Sequence, residues 1–168
     1  LIMLMTHCVV RTIIETAPDL SMDEILNKLN RILYDDILLL GASHHLTFGL
    51  IKSLGDGDYL AAGAHEDVII HRAATGECET LALQGCWFGL VKDISGQSVD
   101  CSFHLDPGDT VILSSDGVVE AENPEGALWE VEGFIASIKR HAHLSPEEMK
   151  TAILADVTAF MGKQLEDI

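Results

Sequence analysis

The segment Gly108-Asp109-Thr110-Val111-Ile112-Leu113-Ser114-Ser115-Asp116-Gly117-Val118-Val119-Glu120-Ala121 joins an apolar run to a carboxylate followed at once by glycine. The apolar residues predict a strand that runs directly into Asp116. A strand end is a rigid platform, and Gly117 lets backbone or ligand approach closely. Hard cations such as Mg²⁺ and Mn²⁺ take carboxylate oxygens, so Asp116 is a candidate metal ligand. The same residues also read as an Asp-Gly turn that merely ends a strand. Glu120 could orient a water beyond the direct ligands, or be a solvated carboxylate.

Other residues that could do chemistry fit their patterns less well. His44-His45 and His65-Glu66-Asp67 offer transition-metal ligands without a recognised spacing, and read as surface loops. Gly55-Asp56-Gly57-Asp58 has part of a calcium loop but lacks the downstream glutamate, and reads as a turn. Ser114 and Ser115 stand in no nucleophile-elbow glycine pattern, so a Ser-His-Asp hydrolase is unsupported. Trp87 and Trp129 could mark a contact surface, but aromatic core is the default.

These residues must be held by helices at both ends and strands between. Leu1 to about Thr16 reads as a largely buried helix ending before Pro18. Ser21 with Glu24 forms a capping box for a second helix, whose apolar positions are Met22, Ile25, Leu26, Leu29, Ile32 and Leu33. Strands are expected over Leu46 to Leu54, Tyr59 to Gly63, Val68 to Arg72, Cys78 to Leu83, Val99 to Leu105 and Val111 to Leu113. Gly55 to Asp58, Thr75-Gly76 and Asp106 to Asp109 carry the turn chemistry between them. Val131, Phe134, Ile135 and Ile138 then mark one helix face. Ser145-Pro146-Glu147-Glu148 opens a last helix bearing Met149, Ile153, Val157, Phe160 and Met161. Two helices, about six consecutive strands and two helices imply antiparallel meanders and an α+β fold.

The 168 residues suit one domain spanning residues 1–168 with a real core, and no repeat or linker interrupts them. The 27 acidic against 10 basic residues give a net charge of −17, which argues against nucleic acid and membrane surfaces as partners. Cys8, Cys78, Cys86 and Cys101 are scattered without a C-x-x-C pair, and read as buried thiols in a reducing cytoplasm. No apolar run has transmembrane length, and the opening Leu1-Ile2-Met3-Leu4-Met5 lacks signal-peptide character. That apolar start also predicts that chain is missing upstream.

The segment around Asp116 resembles the G-D-x-[apolar strand]-[TS]-D-G-[apolar]-x-E-A motif of SpoIIE-like phosphatases, a bacterial branch of the PPM (type 2C) metal-dependent phosphatases. In the family's order, Ala61-Ala62-Gly63-Ala64-His65 resembles its A-G-H segment. Gly85-Cys86-Trp87-Phe88-Gly89-Leu90 resembles its G-x-x-[LF]-G-[LI] segment, and Gln164-Leu165-Glu166-Asp167-Ile168 the opening of its terminal Q-x-D-D-[IV]-T strand. The resemblance implies a four-layer α-β-β-α sandwich with two antiparallel sheets, here incomplete. It implies hydrolysis of phosphoserine or phosphothreonine on a protein by a hydroxide held between two Mn²⁺ or Mg²⁺ ions. Asp116 matches a metal-binding aspartate. Glu166 stands in the column of another, with Asp167 beside it, and the choice within that pair stays open.

Three departures accompany the resemblance. The family's earlier metal motifs are expected before Leu1, and the last strand is expected to begin where the chain stops. Ala64 separates Gly63 from His65, and Glu66-Asp67 follows in place of a proline-containing continuation. Activity is therefore expected of the parent domain and not of this stretch alone. The family further implies a phosphorylated protein substrate, such as an antagonist of an anti-sigma factor, and an upstream sensor or receiver domain. An inactive pseudophosphatase that binds a phosphorylated regulator is the alternative. The two N-terminal helices could pack on the sheet or form a homodimer.

Overall fold

The computed structural model of the chain describes residues 2–41 and 45–162. In chain order its elements are α1 (Ile2–Thr16), α2 (Met22–Leu39), β1 (Phe48–Gly55), β2 (Asp58–Ala64), β3 (Val68–His71), β4 (Cys78–Leu81), β5 (Cys101–His104) and β6 (Thr110–Ile112). Then follow α3 (Asp116–Val119), α4 (Glu130–His141) and α5 (Pro146–Phe160). The fold is α+β, as expected, with two antiparallel sheets and five helices among the described residues. It divides into two compact units, Leu1–His65 with Leu83–His104, and Glu66–Ala82 with Leu105–Ile168.

In the first unit, α2 forms because Ser21 and Glu24 cap it reciprocally. The Glu24 N–H donates to Ser21 Oγ at 3.3 Å, and the Ser21 N–H to the Glu24 carboxylate at 2.8 Å. The Ser21 N–H, and the Ser21 hydroxyl donating to the same carboxylate oxygen at 2.8 Å, hold the Glu24 carboxyl below its ordinary range. Met22, Ile25, Leu26, Leu29 and Leu33 are buried, so the 3.6-residue period places them together. Ile32, expected on that face, is instead 42 % exposed. The helix α1 is not largely buried either. Only Thr6 and Ile13 are buried on it, and Met3, Leu4 and Ile14 are exposed.

The strands β1 and β2 are joined by the Gly55–Asp58 turn, where Asp56 and Gly57 have positive φ of 51° and 85°. Two successive left-handed residues give the turn a twist that matches a hairpin. The strand order β1-β2-β5 departs from a plain meander, because β5 pairs with β2 and skips β3 and β4. Ala62 of β2 packs with Phe88, Ile94 and the apolar face of α2.

In the second unit the order is β4-β3-β6, all antiparallel. Ile69 of β3 packs with Phe134 and Ile138 of α4 and with Met149, Ile153 and Val157 of α5. Ser145 and Glu148 form the second capping box, with Pro146 in the first turn of α5. A shared acceptor links α4 to α5. Asp156 Oδ2 accepts from Ser137 Oγ at 2.7 Å and from Arg140 Nη1 at 2.8 Å, and lies 3.0 Å from His141 Nε2. Burial pushes the Asp156 carboxyl up, but Ser137, His141 and Arg140 together bring it below its ordinary value.

Two further expectations are corrected. None of the cysteines is a buried thiol. Cys8 is exposed and Cys78, Cys86 and Cys101 are half-buried, because α1 is exposed and the other three lie in or beside short strands. Trp87 is 48 % exposed rather than core, stacked on the His45 ring at a centroid distance of 4.8 Å.

Candidate functional site

The strand leading to Asp116 is shorter than its apolar run. The strand β6 stops at Ile112, and Leu113 is 64 % exposed. Asp116 is therefore not at a strand end but at the first position of the one-turn helix α3. The turn closes because the Val118 N–H donates to the Ser115 carbonyl at 3.1 Å and the Glu120 N–H to the Asp116 carbonyl at 2.9 Å. Val118, Val119 and Ala121 pack into the core of the second unit, anchoring the turn from below. A carboxylate at a helix start is also favoured by the unpaired amides there.

This arrangement turns Asp116, Gly117 and Glu120 to the surface. Asp116 Oδ1 accepts the Gly117 N–H at 2.8 Å. Oδ2 makes no hydrogen bond among the described residues, so an oxygen lone pair is available to a cation. A Cβ at Gly117 would meet only Ser115 Oγ, at 3.7 Å. Its neighbours therefore do not demand glycine, and the space above it is open. Glu120, at i+4 from Asp116, lies on the same side of the turn and is exposed. After it, Asn123 Oδ1 accepts from the Ala127 and Glu125 amides at 2.8 and 3.1 Å. That closes a loop whose Glu122 and Glu125 are exposed. Asp116, Glu120, Glu122 and Glu125 are thus four exposed carboxylates on one short stretch of chain.

Asp116 is one ligand, and one ligand does not hold an ion. Among the described residues no group of three histidine, cysteine, aspartate or glutamate side chains converges as a metal site. The described residues alone therefore do not fit the metal pair that the resemblance implies. Glu166 and Asp167 lie outside the described residues, as does His44. His45, His65 and Asp67 are exposed, and Glu66 is half-buried. A cavity of about 230 Å³ beside β6 is lined by Val111, Leu113, Val118, Met149, Ile153 and Leu154 among others. Its apolar walls do not suit a phosphoryl group.

The two glycine-bearing segments of the first unit have structural duties. Gly63 in β2 has φ of 124°, and a Cβ there would stand 2.2 Å from the Phe48 carbonyl oxygen. A Cβ at Gly85 would stand 2.7 Å from the Gly63 carbonyl oxygen. Phe88, wholly buried, exchanges backbone hydrogen bonds with Leu46 at 2.9 and 3.0 Å. The adjoining loop is held by Asn30, which periodicity does not single out. Asn30 Nδ2 donates to the Val91 and Lys92 carbonyls at 2.8 and 3.1 Å, and Oδ1 accepts the Gly89 N–H at 2.9 Å.

Several solved structures resemble the chain. The SiaA-PP2C domain of Pseudomonas aeruginosa superposes with a TM-score of 0.78 at 19 % identity, over 97 % of this chain and 63 % of that one. PppA, a regulatory component of the T6SS in Pseudomonas aeruginosa, gives 0.68 at 14 % identity, over 93 % and 74 %. The phosphatase domain of the cell fate determinant SpoIIE from Bacillus subtilis, in a manganese-presoaked structure, gives 0.51 at 21 % identity, over 97 % and 69 %. The likeness shows the fold, and the chain spans less than two thirds of the SiaA-PP2C domain. No curated protein sequence matches the chain. No helix among the described residues is long and apolar enough to cross a membrane. The family model described as Stage II sporulation protein E (SpoIIE) matches residues 1–167, and the chain belongs to that family.

Proposed function

We propose that these residues form the larger part of one metal-dependent protein serine/threonine phosphatase domain, hydrolysing phosphoserine or phosphothreonine in bacterial signalling. The observation that carries this reading is Asp116 on an exposed, core-anchored turn within the motif that resembles the family's metal-binding segment. In this reading Asp116 would give one oxygen to Mn²⁺ or Mg²⁺, with Glu166 or Asp167 among the remaining ligands. Gly117 leaves room for the phosphoryl group, and Glu120 orients water.

Electrostatics favours a cation here independently. A phosphoryl dianion meets a chain of net charge −17 and a surface bearing Asp116, Glu120, Glu122 and Glu125. Without divalent charge that approach is repulsive. The manganese-presoaked structure of the Bacillus subtilis domain supports the choice of metal. The regulatory role named for PppA supports a signalling substrate, a phosphorylated protein such as an anti-sigma-factor antagonist. In this reading the domain works in the cytoplasm behind a sensor or receiver module.

A second reading rests on Glu166, which stands where the family carries a ligand aspartate. A pseudophosphatase that holds a phosphorylated regulator without cleaving it would tolerate that change. Phosphate release from a phosphoserine peptide by the full-length protein, with and without Mn²⁺, separates the two. The enzyme turns over and loses turnover in Asp116→Asn, whereas the pseudophosphatase binds the peptide and releases nothing.

A further inference from the structure

The strand β6 has three residues, paired Thr110 with His71, Val111 with Ile70 and Ile112 with Ile69. So short a ladder holds its register weakly. The side-chain pattern gives little help, because Val111, Ile112 and Leu113 are all apolar and do not alternate. Slipping by one residue would turn every side chain to the other face. It would also carry the following turn, and Asp116 with it, about 3.3 Å along the sheet.

The residue just before β6 supplies what the pattern lacks. The Asp109 side chain is 2 % exposed. Its Oδ1 accepts the Ala73 N–H at 2.9 Å. Its Oδ2 accepts from Arg72 Nη1 at 2.7 Å and from the Asp106 N–H at 3.2 Å. Arg72 and Ala73 directly follow His71, the residue opposite Thr110. The carboxylate therefore ties the start of β6 to the end of β3 in a single register. Gly108 permits the approach, with φ of 99° and a would-be Cβ only 3.1 Å from Ala73 Cβ. Arg72 also reaches Glu79 Oε2 at 2.6 Å, but that carboxylate side chain is 57 % exposed.

We infer that Asp109, clasped by Arg72 and the Ala73 amide, is the positioning residue that fixes the register of β6 and so sets the place of Asp116. The assignment rests on the phosphatase reading only for what Asp116 does once placed. The contacts of Asp109 with Arg72 and with the Ala73 amide are specific to one register, whereas its bond from the Asp106 amide, within its own turn, and the apolar contacts of Val111 and Ile112 are not.

The test is hydrogen exchange, read residue by residue, on the full-length protein and its Asp109→Asn and Glu79→Gln variants. Removing the buried charge is expected to speed exchange of the Ile112, Val118 and Glu120 amides about tenfold or more. The amides of α2 and α5 should keep their wild-type rates. Glu79→Gln should change none of them, and Arg72→Lys, which retains charge without the fork, should fall between. In parallel, kcat on a phosphoserine peptide should fall about tenfold in Asp109→Asn with KM little changed, since the variant misplaces a reacting group rather than a binding surface. Wild-type exchange at those three amides in Asp109→Asn overturns the inference. So does a loosening spread evenly through α4 and α5, which would mark ordinary stability. A wild-type protein without turnover would instead remove the phosphatase reading, and the exchange rates would still decide the role of Asp109.

Discussion

Gly85 approaches Gly63 so closely that a Cβ on Gly85 would lie 2.7 Å from the Gly63 carbonyl oxygen. The obstacle is backbone on β2, which cannot swing aside as a side-chain tip can. Gly85→Ala is therefore expected to cost about 1–3 kcal/mol, the range for forced overpacking. Urea unfolding checks this, and an unchanged midpoint would mean that the 85–90 segment yields freely.

Asn30 is wholly buried and makes three hydrogen bonds to the backbone of residues 89–92. Truncation to alanine leaves two carbonyls and one amide without partners. The expected loss is about 2–3 kcal/mol, since leaving such groups unpaired costs more than the bonds contribute. Unfolding of Asn30→Ala beside Asn27→Ala measures it, because Asn27 makes one such bond among the described residues, its Oδ1 accepting the Ile94 N–H at 3.0 Å.

Acid stability follows from the carboxylates whose folded pKa is depressed. Arg72, then the Ala73 amide, lower Asp109, and Ser145 lowers Glu148 as Ser21 lowers Glu24. A depressed folded pKa gives stability that is fully present above the unfolded value of about 4. That stability is lost as pH falls through the folded pKa. The urea midpoint should thus hold steady from neutral pH to about 5 and then drop. Asp109→Asn should make the drop shallower, and a midpoint that rises on acidification would contradict the assignment.

Local chemistry made much of this fold legible. Each capping box needs residues three apart, so Ser21-Glu24 and Ser145-Glu148 could be read directly, as could the Gly55–Asp58 hairpin. What stayed illegible depends on distant chain. Asn30 sits within an apolar helix face, and its burial is compensated by carbonyls that arrive 61 and 62 residues later. The pairing of β5 with β2 likewise leaves no local trace. At the candidate site, Asp116 was identifiable by type and neighbours, but its platform was not. Leu113 extends the apolar run while pointing to solvent, and Val118 and Val119 fold the chain into a helical turn because the core below takes them. The clasp of Asp109 by Arg72 joins residues 37 apart and was equally hidden.

Asp116 is exposed and braces nothing beyond its own turn. Asp116→Asn is expected to leave the unfolding free energy within about 0.5 kcal/mol of wild type, the usual range for surface substitutions. Thermal and urea unfolding check it. A larger loss would make the residue a structural cap rather than a ligand.

Phosphate release from a phosphoserine peptide by the full-length protein, with Mn²⁺ and then with the metal chelated, decides whether Asp116 serves a metal-dependent phosphatase. Turnover that needs the metal and collapses in a folded Asp116→Asn variant is the predicted result. Turnover that survives in that variant, or its absence from folded wild-type protein at every metal concentration, would contradict it.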